Sequence, residues 1–479
     1  MRALRYLRKP ARRGSAGPAL RPCGFYGLPL GPRPAEGIAI WPHELLSAQN
    51  GLPILKSLRL RSGLSCGFVQ GRIICFFQQL LLNQLDQERV MIARNRKVDG
   101  DSTLQLLADL IAIDSVNPTL VPGGAGEAEM ARKLSAEMRA IGMDVDVTDV
   151  APGRPNVVGV LEGKVPGRTL MLCGHMDTVG VAGMAAPFAP VEREGRIYGR
   201  GAQDMKGGLA AMLGAARQIV ASGGLTAGRL MLAAVADEEH ASLGARKLVK
   251  HWKADGAVVT EPTSLKIATA HRGFSWIEVV TKGIAAHGSR PRDGRDAIFR
   301  MGRVLTKLER LDRTLQTRAP HVRQGTSSLH ASLISGGREL SSYPDHCSLR
   351  FERRTTSAEP DGVALQEINA ILAELKREDP EFEASAEIIL EQPPFEAAGH
   401  EALATGLRHA LVRKGRTPQE SCVTFWTDAA ILARAGIPTV IFGPGGAGLH
   451  SLEEYVNADE VLVCREALAE LARWFCARR

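Results

Sequence analysis

The stretch RTLMLCGHMDTV, residues 168–179, is an apolar run that ends in a histidine and an aspartate two positions apart. An apolar run of this length is typical of a strand. His175 and Asp177 follow at its end, and side chains at positions i and i+2 of a strand point to the same face. Since a histidine near a turn is common, the pair gains weight only from the rest of the chain.

Four more polar clusters interrupt apolar or glycine-rich stretches in a similar way. They contain Asp204 in GRGAQDMKGG, Glu239 in RLMLAAVADEE, Glu261 in GAVVTEPT and His450 in IPTVIFGPGGAGLH. A buried carboxylate or imidazole is costly unless it is paired, hydrogen-bonded or bound to a metal. Because open α/β sheets place their sites at the carboxyl ends of strands, we expect these side chains and His175 to share one site. Two imidazoles and three carboxylates form a mixed site suited to Zn²⁺, with Co²⁺ or Mn²⁺ as alternatives.

Each cluster also has an ordinary structural explanation. Asp204 could cap the helix that follows it, and the acids at 237–239 could form a solvated loop. Three adjacent acids repel one another unless a cation is near, and one of them can bind a metal while its neighbour acts as general base. The glycine-rich loop 443–448 lacks the Lys-Ser/Thr ending of a phosphate-binding loop, so nucleotide binding is not expected.

The order of strand and helix patterns predicts two domains. From residue 96 to 267, apolar strands alternate with amphipathic helices, which is typical of an α/β layered domain. Between 268 and 390, half-exposed strands and helices follow in β-α-β-β-α-β order, which predicts an inserted ferredoxin-like α+β domain. The chain then returns to the first domain over 391–479.

Composition excludes several classes of protein. With 44% apolar and 23% charged residues, the chain of 479 residues has a globular composition, and no run of 18 uncharged apolar residues predicts a membrane span. Residues 1–90 hold 13 of the 60 Lys and Arg but 4 of the 52 Asp and Glu, so the body is almost neutral and nucleic-acid binding is not expected. Eight scattered cysteines without a CxxC pair indicate free thiols in a reducing compartment, and we therefore expect a cytoplasmic protein.

Residues 1–95 form an atypical basic N-terminal segment that we do not expect to belong to the fold. The opening is rich in Arg, Pro and Gly and has neither a helical nor a strand period. A start placed too far upstream, with Met91 as the natural start, is one explanation. A transit peptide, which is Arg-rich and poor in acids, is a second, and an accessory segment is a third.

The motifs GHMDTV, GRGAQDMKGG, DEE, EPT, AAHGSRP and GLHSLEEYV occur in this order between residues 100 and 479. Together they resemble the co-catalytic zinc amidohydrolases, which include acetylornithine deacetylase, succinyl-diaminopimelate desuccinylase, aminoacylase and glutamate carboxypeptidase. The resemblance implies a zinc-peptidase-like catalytic domain and an inserted lid domain through which two copies form a homodimer. It also implies two Zn²⁺ ions and a cis peptide bond between Asp204 and Met205.

The resemblance further implies a role for each candidate residue. His175 and Glu261 would hold one metal, Glu239 and His450 would hold the other, and Asp204 would bridge both. Asp177 would orient His175, and Glu238 would be the general base. His287 would reach into the active site of a partner subunit, and Arg353 would meet a substrate carboxylate. Arg354, which points the other way on an alternating strand, is expected to be a solvated charge. The sequence departs from the family pattern at Gly288, where the family often has Ser.

The activity that follows is hydrolysis of the amide bond of an N-acyl amino acid by a metal-activated water. The substrate would be a small N-acyl amino acid or short peptide with a free carboxylate. A dipeptidase or a glutamate-carboxypeptidase-like peptidase of the same fold is the first alternative. A non-catalytic binding or dimerisation protein is the second, and the loss of Glu238 or of a ligand would be its sign; neither is missing.

Overall fold

The computed structural model describes residues 100–478, so the expectations for residues 1–95 lie outside the described part of the chain. The helices of this part are α1 Ser102–Ile111, α2 Ala128–Ile141, α3 Gly207–Ala221, α4 Leu243–His251, α5 Ala297–Thr317, α6 Val363–Glu378, α7 Glu401–Arg413, α8 Ala429–Arg434 and α9 Ala458–Cys476. None of them is both long and apolar enough to cross a bilayer.

Three sheets and a two-stranded ribbon account for the strands. Their bounds are β1 Asp144–Ala151, β2 Arg154–Glu162, β3 Thr169–His175, β4 Val191–Arg193, β5 Arg196–Tyr198, β6 Arg229–Val235, β7 Gly256–Val259, β8 Ile267–Ala268, β9 Ala270–His271, β10 Gly273–Lys282, β11 Ser328–Gly336, β12 His346–Thr355, β13 Glu383–Gln392, β14 Phe395–Glu396, β15 Glu420–Ser421, β16 Thr439–Ile441, β17 Gly446–Ala447 and β18 Tyr455–Asn457.

The main sheet has eight strands in the order β1-β2-β6-β3-β7-β16-β8-β15. Its centre, β6-β3-β7-β16, is parallel throughout. In β3, Leu170 and Leu172 pack into one hydrophobic core, while Met171 and Cys173 pack into the core on the opposite face. Burial on both faces explains why the sequence of this strand is continuously apolar rather than alternating.

The inserted lid domain is a four-stranded antiparallel sheet in the order β11-β12-β10-β13. Helices α5 and α6 cover one face of this sheet with a hydrophobic core of their own, which contains Ile277 and Phe351. The strand and helix order is the one that the sequence predicts, and the expected fold class, an α/β catalytic domain with an inserted α+β domain, is confirmed. The observed sheet of the lid begins at Gly273 and ends at Gln392.

Candidate metal centre

The parallel centre of the main sheet brings the predicted ligands to one edge. His175 is the last residue of β3, and the residues that follow β6 and β7 include Glu239 and Glu261. His450 lies between the short strands β17 and β18, in the segment of the chain that follows β16. Because these four strands are adjacent and parallel, their carboxyl ends meet, and the side chains that follow them converge.

Two groups of donor atoms result, and Asp204 belongs to both. In the first group, Nε2 of His175 lies 3.0 Å from Oδ1 of Asp204 and 3.6 Å from Oε1 of Glu261. In the second, Nε2 of His450 lies 3.4 Å from Oδ2 of Asp204 and 3.2 Å from Oε2 of Glu239. Asp204 thus offers one oxygen to each group, which is the arrangement that a two-metal site requires of a bridging carboxylate.

The chemistry of the donor set fits a pair of cations. Burial raises the pKa of Glu238 and of Glu261 well above the usual range, and it raises the pKa of Glu239 to about 7. Oε1 of Glu239 is buried and has no hydrogen-bond partner within residues 100–478. Carboxylates gathered this closely repel one another, and bound cations remove both the repulsion and the unpaired oxygen.

Asp204 lies in the turn Ala202–Lys206 that leads into α3, and the backbone of Asp204 and Met205 is not helical. The expected cis peptide bond between Asp204 and Met205 is confirmed. The carboxylate of Glu454 accepts hydrogen bonds from three backbone N–H groups within residues 201–204, at 2.8 to 3.0 Å, and from the guanidinium of Arg200 at 2.7 Å. Glu454 therefore fixes the turn that carries the bridging carboxylate.

Asp177 holds two parts of the site at once. Its backbone carbonyl accepts a hydrogen bond from Nδ1 of His175 at 2.9 Å, which leaves Nε2 for a metal. Its carboxylate accepts from the backbone N–H groups of Glu238 at 3.1 Å and Glu239 at 3.2 Å, and from Nδ2 of Asn117 at 2.7 Å. The main chain of Asp177 orients the imidazole, while its side chain fixes the loop of acids.

A buried ion pair network supports the same loop from behind. The guanidinium of Arg154 donates to Glu127 at 2.8 Å and to Asp237 at 2.7 Å. Nδ2 of Asn117 also donates to Asp237, at 3.1 Å. Asp237 has a φ of 68°, which a residue with a side chain adopts only when its surroundings hold it there. Neither Arg154 nor Glu454 was expected to support the site, because their contacts lie far apart in sequence.

A cavity of about 290 Å³ opens beside the donor groups, between the main sheet and the lid sheet. The described residues that line it are Asp204, Glu238, Glu239, His240, Glu261, Phe274, Trp276, Arg354, Gln392, Phe425, Trp426, Leu449 and His450. Glu238 belongs to neither donor group, but its carboxylate lies 3.9 Å from Nε2 of His175.

The structure places Arg353 away from the cavity, so the expected contact with a substrate carboxylate cannot form, and it places the neighbouring Arg354 beside the cavity. Arg353 is completely buried against the helices of the lid, where its guanidinium binds Glu359 and, at 3.0 Å, Glu367. Arg354 instead lines the cavity beside the donor groups. The two side chains do point in opposite directions, as their alternation on β12 predicts, but Arg353 faces α6 because two carboxylates are there to pair with it.

His287 lies on the exposed surface of the lid and does not line the cavity. Its Nδ1 lies 2.8 Å from Oγ of Ser289. Within one chain, therefore, His287 is separate from the donor groups, and its predicted role at the site of a partner subunit stays a prediction.

The comparisons with known proteins agree with this geometry. The family model described as Peptidase family M20/M25/M40 matches residues 171–474, which is more than half of the chain. The acetylornithine deacetylase of Myxococcus xanthus is 32% identical over 387 residues, which cover 78% of this chain and 97% of the relative. The N-formyl-4-amino-5-aminomethyl-2-methylpyrimidine deformylase of Bacillus subtilis is 27% identical over 428 residues, which cover 82% and 99%.

Solved structures have the same fold. A tripeptidase from Staphylococcus aureus matches with a TM-score of 0.65 and 21% identity, and the match covers 78% of this chain and 98% of that one. A dinuclear metal binding peptidase of the M20 family from Bacillus subtilis matches with a TM-score of 0.60 and 17% identity, covering 79% and 98%. The chain is a hydrolase of amide bonds, and it belongs to the peptidase family M20/M25/M40.

Proposed function

We propose that the protein is a two-metal amidohydrolase that removes the acyl group of an N-acyl amino acid. The observation that carries the proposal is the pair of donor groups that share Asp204, with Glu238 beside them and outside both. His175 and Glu261 would hold one ion, Glu239 and His450 the second. Zn²⁺ suits two imidazoles and three carboxylates, with Co²⁺ or Mn²⁺ as alternatives.

The protein's own residues supply the proton transfer. When bound, the metal pair supplies Lewis acidity and lowers the pKa of a water. Glu238 accepts the proton of the attacking water and returns it to the leaving nitrogen, as a general base and then a general acid. Asp177 holds the backbone N–H of Glu238 at 3.1 Å, so the carboxylate keeps its place between the two transfers.

Arg354 is the side chain best placed to bind a substrate carboxylate. Its Nε donates to Glu352 at 2.6 Å, while no residue within 100–478 pairs with its two terminal nitrogens. A guanidinium with both terminal nitrogens free can bind a carboxylate in bidentate fashion. The amide bond would then lie between Arg354 and the donor groups, on opposite sides of the cavity.

The homodimer of the proposal would form through the lid domain. Strand β11 is at the edge of the lid sheet and exposed over most of its length. Phe299 on α5 is 77% exposed, and Leu333 and Ile334 on β11 are also exposed. An edge strand beside exposed apolar side chains is a surface for pairing with a second copy, which would supply His287 to the site of its partner.

The experiment that tests the proposal combines metal analysis with a substrate panel. The purified protein is assayed on N-acetyl amino acids, N-succinyl amino acids and dipeptides, and its metal content is measured by mass spectrometry. We expect about two equivalents of metal per chain and hydrolysis of N-acetyl amino acids. A protein that binds less than one equivalent of any divalent metal, or that hydrolyses nothing in the panel, would contradict the proposal.

A peptidase is the second candidate function. Peptidases such as the Staphylococcus aureus tripeptidase share this fold, so the fold is compatible with either function. The same panel separates the two candidates, since a peptidase would cleave the dipeptides faster than the N-acetyl amino acids.

A further inference from the structure

One wall of the cavity is aromatic. Phe274, Trp276, Phe425 and Trp426 are among the residues that line the cavity. The chain has only 5 tryptophans, and aromatic residues make up 5% of it, so two tryptophans and two phenylalanines in one small cavity are a marked concentration. The rings of Phe274 and Trp276 are 5.3 Å apart, and those of Phe274 and Trp426 are 6.4 Å apart and perpendicular.

The register of the lid sheet builds this wall. On the face toward the main sheet, Phe274 lies opposite Arg354, and Trp276 lies opposite Glu352. The carboxylate of Glu352 accepts from Nε1 of Trp276 at 3.0 Å and from Nε of Arg354 at 2.6 Å. The guanidinium carbon of Arg354 lies 5.2 Å from the centre of the Phe274 ring. One carboxylate therefore fixes both a ring of the wall and the cation beside it.

The polar edges of both indoles are already hydrogen-bonded. Nε1 of Trp276 is bound to Glu352, and Nε1 of Trp426 donates to the backbone carbonyl of Pro393 at 2.8 Å. Trp276 is half-buried and offers a ligand its carbon surface, whereas Trp426 is 8% exposed and offers only the part of its ring that borders the cavity. Such a surface binds flat apolar groups by stacking and by burial of area.

The charges of the cavity disfavour a cationic side chain. The acids among its lining residues within 100–478 are Asp204, Glu238, Glu239 and Glu261. Three of them are proposed metal donors, and Glu238 is the proposed base. No further carboxylate of the described lining is left for an ammonium group, and Arg354 would repel one. A substrate such as N-acetylornithine would thus lose the hydration of its δ-ammonium without gaining a partner.

We propose that the preferred substrate of this amidohydrolase has a planar aromatic group, in its side chain or in its acyl part, that stacks against Trp276 and Trp426. The inference rests on the proposed function and adds the substrate class to it. The aromatic group occupies the apolar wall, while Arg354 binds the carboxylate and the amide carbonyl faces the donor groups.

The test compares kcat/KM for substrates that differ in one group. N-acetyl-L-phenylalanine and N-benzoylglycine carry a planar ring, N-acetyl-L-leucine is apolar but not planar, and N-acetyl-L-ornithine carries the cation. We expect the better ring substrate to exceed N-acetyl-L-ornithine at least tenfold and N-acetyl-L-leucine by several-fold. Faster hydrolysis of N-acetyl-L-ornithine or of N-acetyl-L-leucine would overturn the inference while leaving the amidohydrolase proposal standing. Hydrolysis of none would overturn the proposed function itself.

Substitutions in the aromatic wall test whether its residues cause the preference for substrates with a ring. The measured quantity is kcat/KM for the ring substrate divided by kcat/KM for N-acetyl-L-leucine. Trp276→Leu and Trp426→Leu are each expected to reduce this ratio, and the double variant is expected to reduce it roughly tenfold. Trp276→Phe should restore much of the ratio, because it keeps a flat ring. Trp474→Leu is the matched control, since Trp474 lies on α9 and outside the cavity lining. An unchanged ratio in the double variant would overturn the inference.

A binding measurement gives a readout that does not depend on turnover. In the Glu238→Gln background, calorimetry would measure the Kd of N-acetyl-L-phenylalanine and of N-acetyl-L-leucine. We expect tighter binding of the phenylalanine compound, and we expect Trp276→Leu to remove most of the difference. Thermal melting of each variant identifies any that fails to fold, and Trp276→Phe then serves as the interpretable variant. Equal Kd values for the two compounds would overturn the inference.

Discussion

The carboxyl edge of the main sheet and the open face of the lid sheet border the same cavity, but they are built in different ways. At the edge of the main sheet, the functional side chains come from several separate segments of the chain, and buried hydrogen bonds to Asp177 and Glu454 hold the backbone. On the lid, Trp276 and Arg354 stand on adjacent strands, and Glu352, which lies opposite Trp276, binds both of them. In the functions proposed above, the first arrangement carries out the reaction and the second selects the substrate.

The largest effect is expected at the edge of the main sheet. Glu238→Gln removes the proposed base but not a metal donor, so turnover should fall about 10²- to 10⁴-fold while the metal content stays the same. Steady-state kinetics and metal analysis of the same preparation measure both. Turnover within a few-fold of the unchanged protein would remove Glu238 from the role of base, and loss of metal would make it a ligand.

On the lid, a substitution on the covered face should act on stability. Arg353→Met leaves Glu359 and Glu367 without their buried partner, which should cost about 3–5 kcal/mol of unfolding free energy with little change in KM. Urea titration and kinetics would measure the two quantities. If KM rose sharply while stability stayed the same, Arg353 would be a substrate residue after all.

His271 lies at the junction of the two regions, and burial lowers its pKa to about 4 from the ordinary 6.5. Its Nδ1 donates to the carbonyl of Arg272, and its Nε2 accepts from the N–H of Thr427, so only the neutral ring fits. The unfolded chain takes up a proton below pH 6.5 and the folded chain does so only near pH 4. Stability is therefore complete above pH 6.5 and is lost as the pH falls, by roughly 3 kcal/mol.

A variant isolates this contribution from that of other groups. His271→Asn should lower the unfolding free energy most at pH 7, and the difference from the unchanged protein should narrow as the pH falls from 7 to 4.5. Urea titrations at several pH values give the difference directly. A difference that stays constant with pH would contradict the neutral, buried histidine.

The smallest of these effects is expected on the open face of the lid. Arg354→Met removes the proposed partner of the substrate carboxylate, which should raise KM about tenfold to a hundredfold and leave the melting temperature almost unchanged. Arg350→Met is the matched control, because Arg350 lies on the same face of β12 and outside the cavity lining. An equal KM in both variants would remove the carboxylate role from Arg354.

The contrast between the two regions also explains what the sequence can predict. Apolar strands that end in His175 or Glu261 predict both the parallel sheet and the edge at which the side chains meet, because strand direction alone sets that edge. The choice between Arg353 and Arg354 depends on which face of β12 packs against Glu359 and Glu367. These two residues follow β12 in the sequence, so the strand pattern alone does not show which face they cover. The alternation of side chains along β10 could have identified the correct face, since it places Phe274 and Trp276 on the open face that also carries Arg354.

The residues that support the site could not be predicted from the sequence, for a different reason. Arg154 contacts Asp237 across 83 positions, and Glu454 contacts the turn at Asp204 across 250. Neither residue belongs to a local pattern, since a glutamate in a polar loop and an arginine at the start of a strand are common. Only packing in three dimensions distinguishes them from solvated charges.

Strand β16 lies between β7 and β8, although the whole lid separates it from them in sequence. While the chain is being synthesised, the central strands β3, β6 and β7 therefore emerge long before their neighbour. A nascent chain that ends with the lid carries four of the five donor residues but lacks His450 and Glu454. The second donor group, and the hydrogen bonds from the Asp204 turn to Glu454, can therefore form only after residues 450–454 have been synthesised. Binding of the proposed second metal must then follow synthesis of the whole lid.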